Sequence, residues 1–204
     1  MPLKSLIAVW FILVASTAHA TPITSGTVTL DGSELLVSTT RINRNGVAST
    51  WAAPKPFPGT LGCLGGGNCF YETVDVSTSP LEFVRVTYSL LSGSNPNIFL
   101  AAYVNSFNVA SLSANYLGDP GSSLTLGGIP LAFEVIVPSG SSLVLAFSTV
   151  ANNSFGTAFY TVDAFESAAA GAAIPEPATC GLLASGLALL GAARRRRSSA
   201  RSAR

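Results

Sequence analysis

Alternation of apolar and polar residues with a period of two runs through the middle of the chain. In residues 84–90, Val, Val, Tyr and Leu alternate with Arg, Thr and Ser, which is the pattern of a strand that buries one face. Similar runs cover residues 70–76, 97–105, 131–137, 142–150 and 158–165, and weaker ones cover 28–30 and 35–39. No stretch of the body has a convincing helical period, so we predict an all-β domain.

Turn-forming residues bound several of these predicted strands. Ser-Gly-Ser-Asn-Pro stands at 92–96, Gly-Asp-Pro-Gly at 118–121 and Pro-Ser-Gly at 138–140. Short strands with turns at this spacing are typical of an antiparallel β-sandwich, jelly-roll-like, which we predict for residues 21–170. Residues 51–67 are rich in proline and glycine and predict a long irregular excursion from the sheets.

The first residues of the chain, 1–20, have the pattern of a secretory signal peptide. Lys4 supplies the positive start, residues 6–14 form an apolar core too short to span a membrane, and Ala18 and Ala20 fit the small-x-small cleavage rule. We therefore predict export through the Sec translocon and cleavage by signal peptidase, with an uncleaved anchor as the alternative. Cleavage after Ala20 removes His19, the one histidine of the chain, and with it histidine-dependent catalysis and metal binding. We expect no catalytic residues, no metal site and no cofactor.

An uncharged apolar run near the C-terminus predicts a transmembrane helix over residues 178–193. Sixteen residues of helix are about 24 Å long, slightly less than the roughly 30 Å hydrocarbon core, and arginine side chains at the end can cover the difference. The positive-inside bias keeps such arginines in the cytoplasm, so residues 194–204 are predicted to be a cytoplasmic tail and the body to lie outside. The four consecutive arginines are Arg194, Arg195, Arg196 and Arg197.

Pro175, Glu176 and Pro177 precede this run, in a linker that we place at 171–177. The two prolines cannot continue a helix, so the junction is expected to be extended and accessible to an enzyme. The order Pro-Glu-Pro, short apolar helix and arginine cluster resembles the PEP-CTERM protein-sorting tail over residues 174–197. The resemblance implies cleavage near Pro-Glu-Pro by a membrane enzyme, an exosortase, and delivery to the cell surface or extracellular matrix of a Gram-negative bacterium that makes exopolysaccharide. The alternative is an ordinary tail anchor that is never cut.

The body is acidic, although the whole chain has a formal net charge of +1. Residues 21–173 contain nine acidic and four basic residues, which gives a net charge of −5. The four basic residues are Arg41, Arg44, Lys55 and Arg85. Nucleic-acid binding requires clustered cations against phosphate, so this charge argues against a nucleic-acid partner.

Two cysteines of the body, Cys63 and Cys69, bracket a short segment that contains three glycines. In the oxidising compartment that a signal peptide implies, the pair is predicted to close a small disulfide loop. A pair of free thiols or a metal site is the alternative, although two cysteines without histidine are too few for a zinc site.

Three residues of the body are candidates for ligand binding. Trp51 and Phe57 lie in the irregular excursion, where aromatic rings are able to stack on sugars, although most aromatic residues in such a domain belong to the core. Asp119 lies in the Gly-Asp-Pro-Gly turn near Asn115 and offers oxygen ligands to calcium, with a turn-forming aspartate as the simpler interpretation.

Glycoside chemistry would need two carboxylates to converge, and the candidates are Glu134, Asp163 and Glu166. Scattered carboxylates facing solvent are the simpler interpretation, and we do not predict an enzyme.

Residues 68–165 are loosely similar to bacterial P-domain-like and pre-peptidase C-terminal sandwich modules. The similarity depends on short motifs such as Asn-Tyr-Leu-Gly-Asp at 115–119 and Phe-Glu-Val-Ile-Val-Pro-Ser-Gly at 133–140. Such modules are generally non-catalytic, and some of these sandwiches bind sugars or calcium. We therefore predict an exported, non-catalytic protein of the cell surface or matrix that is associated with exopolysaccharide. A carbohydrate-binding module assisted by calcium is the alternative.

Overall fold

The computed structural model describes residues 20–76, 83–94 and 96–165, and these form twelve strands and no helix. The strands are Thr21–Leu30 (β1), Leu36–Ser38 (β2), Thr40–Ile42 (β3), Thr60–Gly62 (β4), Cys69–Val76 (β5), Phe83–Ser94 (β6), Asn97–Val104 (β7), Tyr116–Gly118 (β8), Leu124–Thr125 (β9), Leu131–Ile136 (β10), Leu143–Thr149 (β11) and Phe155–Phe165 (β12). Within these three ranges, no helix is long and apolar enough to span a membrane. The predicted signal peptide up to residue 19, the linker, the transmembrane helix and the arginine tail lie outside the described residues.

The strands form two large sheets and one small sheet, and all the named strand pairs are antiparallel. The four-stranded sheet has the order β1-β12-β6-β10. The six-stranded sheet has the order β2-β5-β11-β7-β8, with β9 also paired to β7, and β3 and β4 pair separately. Successive long strands from β5 to β7 and from β10 to β12 alternate between the two large sheets, and the first and last strands are neighbours. This arrangement is a jelly roll, so the predicted fold class is confirmed.

The main core fills the space between the two large sheets. Period-two alternation turns Val84, Val86 and Tyr88 of β6 inward, and all three are buried. They belong to one cluster with Leu100 of β7 and Leu145 of β11, which come from the opposite sheet. The half-buried strand predicted from the alternation in residues 84–90 is therefore confirmed.

A second core covers the other face of the six-stranded sheet. β11 is buried along its whole length, and β7 is buried at all positions except its two ends. Tyr71 of β5 and Tyr103 of β7 pack in this second cluster with Ile42, Cys63 and Leu112, which come from outside the large sheets. The irregular segments therefore act as a third layer, and their cover explains the near-continuous apolar runs of β7 and β11.

Strand register gives the domain two distinct ends. At one end, which we call the tail end, Thr21 pairs with Ala164, and Phe165 pairs with Phe83. At the opposite end, the far end, Leu30 pairs with Gly156 and Asn97 pairs with Thr125. β12 runs from one end to the other over 11 residues, a distance of roughly 35 Å. The described chain therefore starts and finishes at the same end of the sandwich.

The structure has more strand than the sequence pattern predicts. β1 begins at Thr21 rather than Val28, because its first residues are mainly Thr, Ser and Gly on an exposed edge strand and show no apolar alternation. The short strands β3, β4, β8 and β9 have two or three residues each, which is too few to show a period. The excursion at 51–67 contains β4 and is otherwise irregular, as expected.

Candidate functional site

The predicted disulfide between Cys63 and Cys69 is confirmed, and both cysteines are buried. Cys69 opens β5, and the amide of Cys63 donates a hydrogen bond to the carbonyl of Thr39. The amide of Leu64 donates to the carbonyl of Val150. The disulfide therefore fixes the end of the irregular excursion to the six-stranded sheet at the far end of the domain.

Trp51, a predicted sugar-binding residue, lies in the protein interior with 6% of its surface exposed. Its indole N–H donates to the carbonyls of Val84 and Val135, at 3.2 Å each. Its ring packs edge-on against Phe165, with the ring centroids 5.1 Å apart. These contacts anchor the excursion to the four-stranded sheet, and they leave little of the ring for stacking on a sugar.

The carboxylates Glu134 and Asp163 flank Arg85 in the register of three adjacent strands. Glu134 forms a 2.6 Å ion pair with Arg85, and its other carboxylate oxygen accepts a hydrogen bond from the backbone N–H of Trp51 at 3.3 Å. The guanidinium of Arg85 also lies 5.4 Å from the centroid of the Trp51 ring. An arginine therefore separates the two described acid–base candidates, while Glu166 lies outside the described residues.

Asp119 is fully buried and has three partners within the domain. Lys55 Nζ lies 2.5 Å from Asp119 Oδ1, the backbone N–H of Gly121 donates to the same oxygen at 2.5 Å, and the Tyr116 hydroxyl donates to Oδ2. Burial raises the pKa of Tyr116, and the charge of Asp119 raises it further. Asn115 lies apart and donates to Ser106. These contacts support a structural role for Asp119, with ligand binding left as a prediction.

Phe57, the other aromatic candidate, is half-buried and packs edge-on against Tyr116, with ring centroids 5.3 Å apart. Among the described aromatic residues Phe159 is the most exposed, at 37%. Phe159 lies on the outer face of the four-stranded sheet, between Thr27 and Ser89. The described part of the domain therefore presents a single exposed ring rather than an aromatic strip.

The sequence pattern does not single out a polar groove that the fold builds around Arg44. The groove has a volume of about 450 Å³ and lies at the far end, where β7 begins and β9 pairs with it. Arg44 Nη1 donates to Ser123 Oγ at 2.5 Å and to Asn97 Oδ1 at 3.4 Å. Ser122, Thr125 and two glycines complete the lining. The sequence near Arg44 does not indicate this site, because Asn97 and residues 121–125 of the lining are distant in the chain.

Two arginines near the groove lack a carboxylate partner among the described residues. Burial lowers the pKa of Arg44, and a smaller influence of Tyr88 raises it. Burial lowers the pKa of Arg41 as well, and the positive charge of Arg44 adds to this effect. Both guanidinium groups remain charged at neutral pH, since arginine does not lose its proton in proteins. The far end therefore holds two neighbouring cations whose like charges repel each other, in an otherwise acidic body.

The described residues define the class of protein as an acidic, disulfide-bonded jelly-roll domain, and the tail carries a recognisable motif. Residues 173–197 match the family model of the PEP-CTERM protein-sorting motif. This motif implies a PEP-CTERM protein of a Gram-negative bacterium, exported, anchored transiently in the membrane, sorted at its C-terminus and processed by exosortase, a membrane enzyme. No curated protein and no solved structure matches the chain.

Proposed function

We propose that this chain is a non-catalytic protein delivered to the cell surface or extracellular matrix, where it associates with exopolysaccharide. The observation that carries the proposal is the PEP-CTERM motif at residues 173–197, which follows a folded, acidic body. The body has a net charge of −5 and a disulfide, as suits an exported protein.

The start of the fold supports removal of a signal peptide by signal peptidase after export through the Sec translocon. β1 begins at Thr21, directly after the predicted cleavage residue Ala20, and Ala20 is exposed. Cleavage at this point would leave β1 complete. An uncleaved peptide would extend from the edge strand of the four-stranded sheet.

The end of the fold supports cleavage at Pro-Glu-Pro without damage to the domain. β12 ends at Phe165, and nine residues separate it from Pro175. A chain of nine residues reaches about 30 Å when extended, so an enzyme at the membrane has access to the motif while the domain is folded. Cleavage near Pro-Glu-Pro falls after Phe165, the last described residue of the domain, so the released product keeps every described strand.

The arrangement of the carboxylates supports a non-catalytic role. Glu134 and Asp163 are two strand spacings apart, roughly 10 Å between backbones, with Arg85 between them. Glycosidases need both carboxyl groups free, on either side of an open site that admits the sugar. Glu134 is instead held by Arg85 and by the backbone of Trp51.

The alternative function is a carbohydrate-binding module. The burial of Trp51 and the internal ion pair of Asp119 speak against the two sites that the sequence suggests for sugar and calcium. The alternative gains support from the polar groove at Arg44, which combines hydroxyl, amide and guanidinium groups.

The proposed location is tested by fractionating the native host and an otherwise identical strain that makes no exopolysaccharide. We expect the processed protein in the matrix fraction of the native host, and in the culture medium when the polysaccharide is absent. A Glu176→Ala variant should stay in the membrane fraction of both strains. Equal distribution of the processed protein between matrix and medium in both strains would contradict the association with exopolysaccharide.

A further inference from the structure

The four cations of the body differ in how their charge is compensated. Lys55 and Arg85 each form an ion pair, with Asp119 and Glu134 respectively. Arg41 is buried, with 4% of its surface exposed, and its Nη1 donates to the carbonyl of Ile42. Arg44 alone among the four combines partial exposure with the absence of a carboxylate partner in the described part of the chain.

The guanidinium of Arg44 is only partly used by the protein. Both of its hydrogen bonds to described residues are made by Nη1, and both acceptors are neutral. Nη2 and Nε have no acceptor among the described residues. Neither is a buried atom without a partner, because among the described residues only Arg41 Nε is one, so both are accessible. The fork of donors that arginine offers to a planar oxyanion is therefore available.

The rest of the groove has the chemistry of a site for hydroxyl groups. Ser122, Ser123, Thr125 and Asn97 supply donors and acceptors around Arg44. Gly121 has a φ of 74°, and a side chain at this position would collide with the backbone of Val47, so the wall at this point is bare backbone. Among the described residues, no apolar side chain lines the groove. A nonpolar ligand would gain little here, whereas a hydroxylated ligand finds a partner on each side.

We infer that the groove at Arg44 binds the carboxylate of an acidic sugar, such as a uronate unit of a polysaccharide. A carboxylate matches the fork geometry of Arg44, and the neighbouring hydroxyl and amide groups match the hydroxyls of the same sugar ring. The volume of 450 Å³ accommodates one or two sugar rings. The groove lies at the far end of the domain, roughly 35 Å from Phe165, the last described residue.

The test is isothermal titration calorimetry on the full chain, purified in a polyoxyethylene detergent that contains no sugar. The probes are a trimer of galacturonic acid and the matching neutral trimer of galactose. We expect binding of the acidic trimer and at least tenfold weaker binding of the neutral one. Arg44→Gln should weaken binding of the acidic trimer roughly 10- to 100-fold, because it removes a charge-assisted contact. No binding by the native chain, equal binding of both trimers, or an unchanged affinity in Arg44→Gln would overturn the inference.

A charge-matched control separates the site from the net charge of the body. Glu72 is exposed on β5, so the double variant Arg44→Gln/Glu72→Gln keeps the net charge of −5 but lacks the groove cation. We expect the double variant to bind as weakly as Arg44→Gln, and recovery of native affinity would overturn the inference. If Arg44→Gln fails to fold, hydrogen exchange on the native chain decides, since the acidic trimer should protect residues 44–47 and 121–125 and an unchanged exchange there would contradict the site.

Free sulfate distinguishes a sugar site from a small-anion site. If sodium sulfate binds as tightly as the acidic trimer, the hydroxyl contacts contribute nothing and the assignment to a sugar is overturned. The inference deepens the proposed association with exopolysaccharide and rests on it for the choice of ligand. The two fail separately, because the matrix location is read in cells and the groove is read by titration of the purified chain.

Discussion

A single ion pair, between Lys55 and Asp119, joins the irregular excursion to the turn after β8. Their side chains are 4% and 0% exposed, so the ion pair is removed from water, and the Tyr116 hydroxyl donates a further hydrogen bond to Asp119. Breaking a buried pair on one side leaves an uncompensated charge, which costs more than the pair itself contributes. The two residues therefore hold the third layer of the fold in place.

Replacing Lys55 should destabilise the domain strongly. Lys55→Met leaves the buried Asp119 carboxylate without its cation, and we expect the free energy of unfolding in urea to fall by about 3 to 5 kcal/mol. The double variant Lys55→Met/Asp119→Asn removes the stranded charge and should be less destabilised than Lys55→Met alone. A loss below about 1 kcal/mol in the single variant would show that the pair is not buried in solution.

Features that depend on residues close together in the sequence are easier to predict than contacts between distant residues. The pairing of Cys63 with Cys69 follows from their spacing and from the oxidising compartment, since a short glycine-rich loop needs no distant contact to close. The burial of Trp51 cannot be predicted from its neighbours in the sequence, because its partners Val84, Val135 and Phe165 are distant in the chain. The position of Arg44 in a groove is equally unpredictable, since the groove is lined by residues of β7 and β9, which are brought together by strand pairing.

Among the secondary-structure elements, the disulfide loop connects the excursion to β5. Between Cys63 and Cys69 the chain bridges from the irregular layer to the six-stranded sheet, and the amide of Leu64 bonds to the carbonyl of Val150. β4 and its partner β3 lie just before this point and have three residues each. Such short strands depend on their attachment, so the loop stabilises more than its own residues.

Removal of the disulfide should lower stability by an amount typical of a small loop. For Cys63→Ala/Cys69→Ala we expect the free energy of unfolding to fall by about 2 to 3 kcal/mol, measured by urea denaturation. Added reductant should destabilise the native domain comparably and leave the double variant unchanged. A native domain whose unfolding is insensitive to reductant would contradict a structural role for this bond.

At the level of elements, long strands were predictable from the sequence and short ones were not. β6 and β10 bury one face and alternate as predicted. β7 and β11 are predicted as similar runs, but both of their faces are covered, so they are buried almost continuously rather than alternately. The first part of β1 was not predicted, because an edge strand of Thr, Ser and Gly needs no apolar face there. The jelly-roll order follows from contacts between distant strands, which local patterns do not contain.

Four buried tyrosines make the stability of the domain depend on pH in the alkaline range. Burial raises the pKa of Tyr71, Tyr88, Tyr103 and Tyr116 far above their ordinary value of 10.0. The unfolded chain therefore loses these protons near pH 10 while the folded domain keeps them. Their contribution to stability is complete below pH 10 and is lost as the pH rises above it, by up to about 1.4 kcal/mol per pH unit for each tyrosine.

We therefore expect the domain to unfold cooperatively in the alkaline range, with ionisation of these tyrosines coupled to unfolding. The measurement is a pH titration that follows phenolate absorbance and circular dichroism together. Tyr88→Phe, which retains the ring in the main core, should make stability less steeply dependent on pH. Phenolate formation by the buried tyrosines at about pH 10 without loss of β-structure would contradict their burial.

In the whole molecule, both ends of the described chain lie at the tail end of the jelly roll, and the sorting motif follows in the sequence. The most direct test is the intact mass of the protein in membrane and extracellular fractions of its own host, beside a Glu176→Ala variant. We expect an extracellular species that starts at Thr21 and ends near Pro177, and a membrane-retained variant with its full tail. If the native chain keeps its tail in the membrane and the variant behaves identically, the chain is a plain tail-anchored protein and the sorting account is wrong.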